Sequence, residues 1–347
     1  MSVDGKFRVA FTADFFDSDG QPKFRDHGLS VLEDDPSIEV SRFDEHRDEI
    51  TPDQVAAAQG VIVLTPRVTK KTLSQSDNLL AISRFGVGYD NVDVAACTAA
   101  DVLLTITRGA VDRPVAEATV GWMIGLTHHV LAKDRLVREG RWDDRTQFMG
   151  SELRDRTLGV IGFGGIGNAI VKLLSGFGMN TPLVFDPYLD ENTAASRGVK
   201  KVDLDALLSE ADFVSINCPL NEETRNLIGT RELGLMKPTA YLINTARGGI
   251  VNEDALFAAL SEQRIAGAAL DCFDEEPITS PHRFGSLKNV LLAPHCIAWT
   301  HELFRDMGVV ACQTMIDLAH GRRPHGIINP EVCDRPSFQK KWERLSS

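Results

Sequence analysis

Three polar residues follow three apolar, strand-like segments, and their types suit proton transfer and carboxylate binding. Arg247 follows YLINTA, Glu276 lies three residues after GAALDCF, and His295 follows NVLLAP directly. Histidine titrates near pH ~6.5 and can take or give a proton, and a carboxylate beside it favours the imidazolium. An arginine fork binds a carboxylate. The three side chains therefore suit acid–base chemistry on a small substrate that carries a carboxylate.

His295 taken alone has a simpler explanation as a packed histidine that satisfies local hydrogen bonds. Its position in the chain favours the catalytic interpretation. The carboxyl ends of neighbouring parallel strands line one crevice, and a cofactor binds in that crevice in open sheets. We therefore expect the three residues to share one edge of a sheet with a cofactor.

The cofactor motif is a glycine-rich turn between a strand and a helix in TLGVIGFGGIGNAIVKLL. Gly162 permits the tight turn, Gly164 lets the backbone approach a pyrophosphate, and Gly167 lets the helix pack on the strand. Asp186 ends the strand TPLVFD, 19 residues after Gly167. A carboxylate there accepts hydrogen bonds from ribose hydroxyls and repels a 2′-phosphate, which predicts NAD and not NADP. A loop-capping aspartate is the alternative interpretation.

Two further residues near the strand ends have open interpretations. Asp271 ends the strand GAALD and can hold the nicotinamide carboxamide or serve a structural role. Cys296 follows His295 and is a less favoured candidate nucleophile, since the sequence offers it no separate base or oxyanion loop.

No metal site is predicted, because His128 and His129 lack ligand residues three or four positions further along the chain, and DFFDSDG lacks the glutamate of a calcium loop.

Two series of alternating strand-like and helix-like segments must position these residues. Short apolar runs separated by polar, helix-length segments such as TPDQVAAAQ predict βαβ units and parallel sheets. The first series contains five predicted strands, at 7–13, 38–43, 60–64, 81–85 and 101–107. The second contains six predicted strands, at 157–162, 181–186, 213–218, 241–246, 267–273 and 289–294. A long helix is predicted over 115–138, a final helix over 302–320, and a polar, loosely held tail over 334–347.

Composition narrows the class of protein. A chain of 347 residues with 43% hydrophobic and 25% charged residues is typical of a two-domain globular protein. It has no apolar run of about 18 residues and no signal or transit pattern, so no membrane association is expected. A net charge of −12 opposes binding to nucleic acid. Six cysteines without CxxC spacing predict reduced thiols in a cytoplasmic protein.

At these residues the chain resembles the D-isomer-specific 2-hydroxyacid dehydrogenase family. The resemblance covers about 60–335 and is carried by RFGVGYDNVDVAA, VAEATVGWMI, GVIGFGGIGNAI, CPLNEETRNLIG, LMKPTAYLINTARGGIVNEDAL, ALDCFDEEP and APH. It implies an α/β fold of two doubly wound parallel-sheet domains. A Rossmann NAD-binding domain, 108–299, would be inserted into a flavodoxin-like substrate-binding domain, 1–107 and 300–333. The resemblance also implies a homodimer formed through the NAD-binding domain and its long helix.

The resemblance implies hydride transfer between NAD and C2 of a D-2-hydroxy acid or 2-keto acid. His295 would be the acid/base, Glu276 its partner, and Arg247 the clamp on the substrate carboxylate. The family's carboxylate-binding loop matches Val87 and Gly88, and Trp299 lies near the expected pocket. The expected cofactor contacts are Gly162, Gly164, Gly165, Ile166, Gly167, Asp186, Pro219, Thr224, Thr245, Ala246, Arg247, Asp271 and His295.

Three departures from the family's pattern leave the substrate open. Arg108 and Arg113 stand where neutral or small residues are usual, and Trp299 stands where a small residue is usual. A second acidic group on the substrate is therefore one hypothesis, and a phosphate reached by Arg67 or Lys70 is another. Two alternatives to a 2-hydroxyacid dehydrogenase also stay open. They are a non-catalytic NAD(H)-sensing protein, as in the family's corepressor branch, and a phosphite-type dehydrogenase on the same scaffold.

Overall fold

A computed structural model describes residues 6–345 of the chain. These residues form two compact units. Unit 1 is built from the residues up to 111 and those from 299 onward, and unit 2 from residues 112–298. Each unit contains one sheet whose strands pair in parallel throughout.

The secondary structure of the described residues alternates strands and helices along most of the chain. The strands are β1 Phe7–Phe11, β2 Ile38–Arg42, β3 Gly60–Val63, β4 Ala81–Arg84, β5 Leu103–Ile106, β6 Leu158–Ile161, β7 Leu183–Phe185, β8 Lys200–Lys201, β9 Phe213–Ile216, β10 Tyr241–Asn244, β11 Gly267–Leu270 and β12 Val290–Leu292. The α-helices are α1 Leu29–Glu33, α2 Pro52–Val55, α3 Val94–Ala99, α4 Asp112–Thr127, α5 Val130–Arg138, α6 Gly165–Leu174, α7 Glu191–Ser196, α8 Leu204–Glu210, α9 Thr230–Leu235, α10 Glu253–Ser261, α11 His301–Ala319 and α12 Pro336–Leu345. Short 3₁₀ helices span Ala13–Phe15, Thr72–Gln75, Trp142–Phe148, Arg283–Ser286 and Pro330–Asp334.

Unit 1 has a five-stranded sheet in the order β2-β1-β3-β4-β5. This is the flavodoxin-like order, in which the chain adds strands on both sides of the first. The inner strand β3 and the edge strand β5 are both buried along their whole length, which explains their apolar sequences. The carboxyl end of β4 leads into the loop that contains Val87 and Gly88.

Unit 2 has a seven-stranded sheet in the order β12-β11-β10-β9-β6-β7-β8. Successive residues of its central strands bury opposite faces, for example Val160 and Ile161 of β6 and Leu242 and Ile243 of β10. Both faces are therefore covered by apolar packing. The strand order reverses between β6 and β9, and the crevice beyond the carboxyl ends of these strands is where an open α/β sheet binds its ligand.

Three segments differ from the sequence-based expectations. The helix expected over 115–138 is two helices, because His129 adopts a left-handed φ of 54° between α4 and α5. The short strand β8 was not predicted, since two consecutive lysines carry no apolar signal. The tail expected over 334–347 forms helix α12 in its described part, with Phe338 fully buried and Trp342 Nε1 donating to the carbonyl of Leu318 at 2.8 Å.

Candidate active site

The glycine-rich turn between β6 and α6 has the geometry that a dinucleotide requires. Gly162 has a φ of +87°, and a Cβ there would lie 2.7 Å from the backbone nitrogen of Cys218 after β9. A Cβ on Gly167 would lie 2.6 Å from the carbonyl oxygen of Gly162, so α6 packs on the turn only without a side chain. No heavy atom of the described residues lies within 4 Å of a Cβ on Gly164. The turn thus leaves open space where the motif would bring a pyrophosphate to the helix N-terminus.

Asp186, just after β7, accepts a hydrogen bond from the glycine-rich turn. Its Oδ2 accepts the backbone N–H of Phe163 at 2.8 Å, and its Oδ1 accepts that of Tyr188 at 2.9 Å. Each carboxylate oxygen has two lone pairs, so each retains capacity for a ribose hydroxyl. The loop-capping and ribose-binding interpretations of Asp186 are therefore compatible with each other.

His295 and Glu276 form a direct pair at the carboxyl edge of the unit 2 sheet. His295 Nδ1 lies 2.6 Å from Glu276 Oε2, and the other carboxylate oxygen, Oε1, accepts the backbone N–H of Phe273 at 2.9 Å. An ionised carboxylate only accepts hydrogen bonds, so the ring donates from Nδ1. The Nε2 atom is then the one that remains for proton exchange with a substrate.

The charge state of Glu276 follows from its surroundings. Burial would raise the pKa of this carboxyl, but the hydrogen bond from His295, the backbone N–H of Phe273 and the charge of Arg247 outweigh burial and lower the pKa. Glu276 is therefore an anion at neutral pH. A fixed anion at Nδ1 orients the ring and accepts the hydrogen bond from that nitrogen.

Arg247 lies in the turn after β10, and backbone packing holds this turn beside the loop that leads to Glu276. Asn244 Nδ2 donates to the carbonyl of Arg247 at 2.8 Å, and Asn244 Oδ1 accepts the N–H of Ala246 at 3.0 Å. A Cβ on Gly248 would overlap the carbonyl of Phe273 and lie 2.8 Å from the backbone nitrogen of Asp274. The two loops thus approach at van der Waals distance only because residue 248 is glycine. The Arg247 guanidinium also donates from Nη1 to the carbonyl of Ala246 at 2.7 Å.

Asn244 was not singled out from the sequence. The side chain is almost fully buried and organises the turn that carries Arg247. A polar residue at the end of an otherwise apolar strand, YLIN, was the available signal, because a buried amide needs several hydrogen-bond partners.

Asp271 has a structural role in this unit. Its Oδ1 accepts the backbone N–H groups of Cys296 and Ile297 at 2.9 and 3.1 Å, which fixes the chain directly after His295. Burial raises the pKa of Asp271 to about 6, against the lowering effect of these two hydrogen bonds. His295 itself adopts a left-handed φ of 53°, a conformation that costs energy in a non-glycine residue and that Asp271 helps to hold.

Comparison with known proteins decides the family. Residues 120–296 match the family model described as D-isomer specific 2-hydroxyacid dehydrogenase, NAD binding domain. The chain belongs to this family. It is similar to the glyoxylate reductase of Thermococcus litoralis, with 37% identity over 278 residues, 78% of this chain and 83% of that protein. It also resembles the D-3-phosphoglycerate dehydrogenase of Methanocaldococcus jannaschii, with 37% identity over 264 residues, 76% of this chain and 50% of that protein.

Solved structures of the family share the fold. A glyoxylate reductase from Paecilomyes thermophila is 25% identical with a TM-score of 0.80, and the match covers 94% of this chain and 99% of that one. The D-lactate dehydrogenase of Aquifex aeolicus, solved with NAD and lactic acid, is 26% identical with a TM-score of 0.76, covering 90% and 96%. These matches confirm the predicted fold class, and the family model confirms NAD as the cofactor. The chain is an NAD-dependent oxidoreductase that acts on CH–OH groups.

The other expected cofactor residues of this dehydrogenase lie in two turns of unit 2 and at the start of α6. Pro219 and Thr224 share one turn, in which the hydroxyl of Thr224 donates to the carbonyl of Pro219 at 2.6 Å. Thr245 and Ala246 belong to the turn that carries Arg247. Gly165 and Ile166 are the first two residues of α6.

The other residues expected to contact the substrate belong to unit 1. Val87 and Gly88 are partly buried in the loop after β4. Trp299 is 59% exposed, and its indole packs edge-on against Phe304 and Phe24, with ring centroids 5.2 and 6.3 Å apart. Phe24 and Phe304 stack on each other at 3.9 Å, so Trp299 extends an aromatic cluster of this unit.

Two interpretations drawn from the sequence lose support in this dehydrogenase: Arg113 as a contact for a second acidic group on the substrate, and Cys296 as a nucleophile. Arg113 pairs with Glu117 one turn along α4, so its charge is already balanced by a carboxylate. Burial raises the pKa of the Cys296 thiol, and the charge of Asp271 raises it further, which disfavours a nucleophilic thiolate. Among residues 6–345, no cluster of three metal-ligating side chains occurs and no helix is long and apolar enough to cross a membrane.

Proposed function

We propose that the protein reduces a 2-keto acid to the D-2-hydroxy acid with NADH, with His295, Glu276 and Arg247 as the catalytic set. The observation that carries this proposal is the 2.6 Å pair between His295 Nδ1 and Glu276 Oε2. The pair lies in the unit that holds the NAD-binding turn, and it leaves Nε2 for the substrate. The glyoxylate reductases similar to this chain support the reductive direction.

The proposed mechanism assigns each residue one task. The nicotinamide, when bound, supplies the hydride that reduces C2. Arg247 binds the substrate carboxylate and fixes the carbonyl carbon in place. His295 Nε2 donates its proton to the carbonyl oxygen as that atom becomes a hydroxyl, and the reverse reaction returns the proton to the ring. Glu276 holds the ring through Nδ1 and stabilises its positive charge.

The substrate side of the proposal rests on unit 1. The backbone N–H groups of Val87 and Gly88 would bind the substrate carboxylate, as the family resemblance implies. Trp299 exposes an apolar indole, which packs edge-on against the partly buried ring of Phe24. We therefore propose a substrate with one carboxylate and an apolar side chain, in preference to a dicarboxylate.

A panel of keto acids tests this function. NADH oxidation would be followed with glyoxylate, pyruvate, phenylpyruvate and oxaloacetate, with His295→Asn as the inactive control. We expect turnover that depends on His295 and is lowest for oxaloacetate. Tight NADH binding without turnover of any acid would contradict the proposal and favour the sensing alternative. NAD-dependent oxidation of phosphite in the same assay would favour the phosphite alternative.

The hydrogen bond between His295 and Glu276 predicts the effect of removing the anion. Glu276 holds the ring through Nδ1, which leaves Nε2 for the substrate. Glu276→Gln removes the anion that holds the ring, so kcat for reduction should fall by up to about 10²-fold, the lower end of what a positioned acid–base group contributes. Glu275→Gln, at the neighbouring exposed carboxyl, is the matched control and should leave kcat unchanged. An unchanged kcat in Glu276→Gln would remove Glu276 from the mechanism.

Two further properties remain proposals. We propose a homodimer through unit 2, supported by Val130, Leu131 and Val137 of α5, which expose large apolar side chains. We also propose a cytoplasmic location, supported by six cysteines that form no disulfide among the described residues. We also propose that residues 108–299 form an NAD-binding domain and that the rest of the chain up to 333 forms a substrate-binding domain.

A further inference from the structure

The segment that carries Glu276 is exposed along its whole length. It spans residues 274–281, all of which are exposed. Few apolar contacts hold such a segment, so it can open locally at little cost in free energy. Glu276 nevertheless keeps one carboxylate oxygen 2.6 Å from Nδ1 of His295. The position of this carboxylate therefore depends on the groups that hold the two ends of the segment.

Glu253, the first residue of α10, contacts both ends of this segment. Its Oε1 accepts the backbone N–H of Asp274 at 2.9 Å, and its Oε2 lies 3.3 Å from Nε2 of His282. The Glu253 side chain is only 14% exposed, which limits the competition of water for these contacts. One carboxylate thus joins two positions that lie on either side of Glu276 in the chain.

The two ends of the segment also have supports of their own. The ring of His282 packs against Phe273 and Phe284, with centroids 4.9 and 5.1 Å away, and both phenylalanines are buried. At the other end, Asp274 Oδ1 accepts the backbone N–H of Gly249 at 2.7 Å. These contacts hold each end separately, and the Glu253 carboxylate holds the two ends at a fixed separation.

We propose that Glu253 is a positioning residue, which acts by holding the Glu276 carboxylate against His295. The inference rests on the proposed keto-acid reduction. Without the Glu253 carboxylate the ends of the segment can separate, and Glu276 loses its fixed place at Nδ1. A misplacement of about 1 Å can cost about 10²-fold in rate. Because Glu253 acts through Glu276, its removal costs no more than the removal of Glu276 itself.

A simpler explanation is that Glu253 only stabilises α10. An acidic residue in the first turn of a helix interacts favourably with the helix dipole. Asp254 provides the matched control, because it lies in the same first turn, is 88% exposed and pairs with Arg283. Asp254→Ala removes an equal charge from this helix end and leaves the contacts of Glu253 with the segment in place.

Steady-state kinetics of keto-acid reduction at saturating NADH compare the variants. We expect Glu253→Ala to lower kcat about tenfold. The KM of the keto acid should stay within about twofold, because Asn244 holds the turn that carries Arg247. Glu253→Gln should keep most of kcat, since its amide oxygen can accept the same N–H of residue 274. Asp254→Ala should keep kcat unchanged.

A double-mutant cycle tests whether Glu253 acts through Glu276. In a Glu276→Gln protein, Glu253→Ala should lower kcat no further, because the group that it positions is already absent. A further tenfold loss in that background would overturn the inference. An equal loss in Asp254→Ala, or a raised KM with unchanged kcat in Glu253→Ala, would overturn it as well.

A measurement without turnover separates this inference from the proposed function. Nitrogen-15 NMR of labelled histidine rings at alkaline pH shows which ring nitrogen carries the proton, and His295→Asn identifies the His295 signals. We expect the Nδ1–H form in the unmodified protein and in Asp254→Ala, and a mixture of both tautomers in Glu253→Ala. Glu253→Asp keeps the charge on α10 but is one methylene shorter, and it should give the same mixture.

The two readouts fail independently of each other. An unchanged Nδ1–H form in the folded Glu253→Ala or Glu253→Asp protein would overturn the inference, whether or not a keto acid is reduced. A mixture of tautomers in a protein that reduces no keto acid would support the role of Glu253 in holding Glu276, and it would contradict the proposed function alone.

Discussion

Replacing His295 by asparagine should lower kcat for keto-acid reduction by about 10²–10⁴-fold, the usual contribution of a positioned acid–base group. The asparagine side chain can still reach Glu276, but it cannot carry a proton to the carbonyl oxygen. NADH binding should be retained, because the glycine turn and Asp186, which we propose to bind the dinucleotide, keep their own hydrogen bonds and open space. Steady-state kinetics together with an NADH titration of the same preparation would separate the two effects.

The control for this variant is His128→Asn, at an exposed histidine of unit 2 outside the site. It should keep full activity. Activity in His295→Asn within tenfold of the unmodified protein would contradict the assignment of His295 as the acid. Loss of NADH binding along with activity would show a collapse of the local loop, and Asp271→Asn would then be expected to behave in the same way, because Asp271 holds the chain after His295.

Replacing Arg247 by lysine should lower kcat/KM for the keto acid by about 10²–10³-fold, similar to the loss of one donor that stabilises charge in a transition state. Lysine keeps the charge but lacks the planar fork that binds a carboxylate through two parallel hydrogen bonds. The backbone of this turn should keep its shape, because Asn244 holds the carbonyl of residue 247 and not the side chain. Initial rates over a range of keto-acid concentrations at saturating NADH provide the measurement.

The matched control for Arg247 is Arg225→Lys. Arg225 is exposed and lies close to the same turn, with Nη1 3.3 Å from where a Cβ on Gly249 would be. This variant should keep kcat/KM unchanged. An Arg247→Lys protein with unchanged kcat/KM would contradict the assignment of Arg247 as the clamp on the substrate carboxylate. Such a result would leave the role of His295 intact.

Much of the fold could be predicted from local sequence patterns. The eleven predicted strands correspond to eleven observed strands, because buried parallel strands require continuous apolar runs that are visible in the sequence. The dinucleotide turn could be predicted from Gly162, Gly164 and Gly167, since the backbone at two of these positions excludes a side chain and at the third leaves open space. The meeting of His295 and Glu276 could be predicted from strand ends alone, because parallel strands bring their carboxyl ends to one edge.

Other features depended on contacts that no local pattern contains. The break between α4 and α5 at His129 lies in a segment whose sequence has helical periodicity. Helix α12 lies in a segment whose sequence is polar, and the buried ring of Phe338 anchors it. In both segments tertiary packing overrides the local preference.

The sequence by itself determined the two sheets, the glycine turn and the candidate pair of His295 and Glu276, because each depends on residue types at fixed positions in or directly after a strand. Only the tertiary structure decided which groups hold that pair and that turn in place. Asp271 holds the chain after His295, Gly248 leaves room for the carbonyl of Phe273, and Gly167 lets α6 pack on the turn. These contacts join residues far apart in the chain, and their geometry exists only once the sheet has brought the loops together.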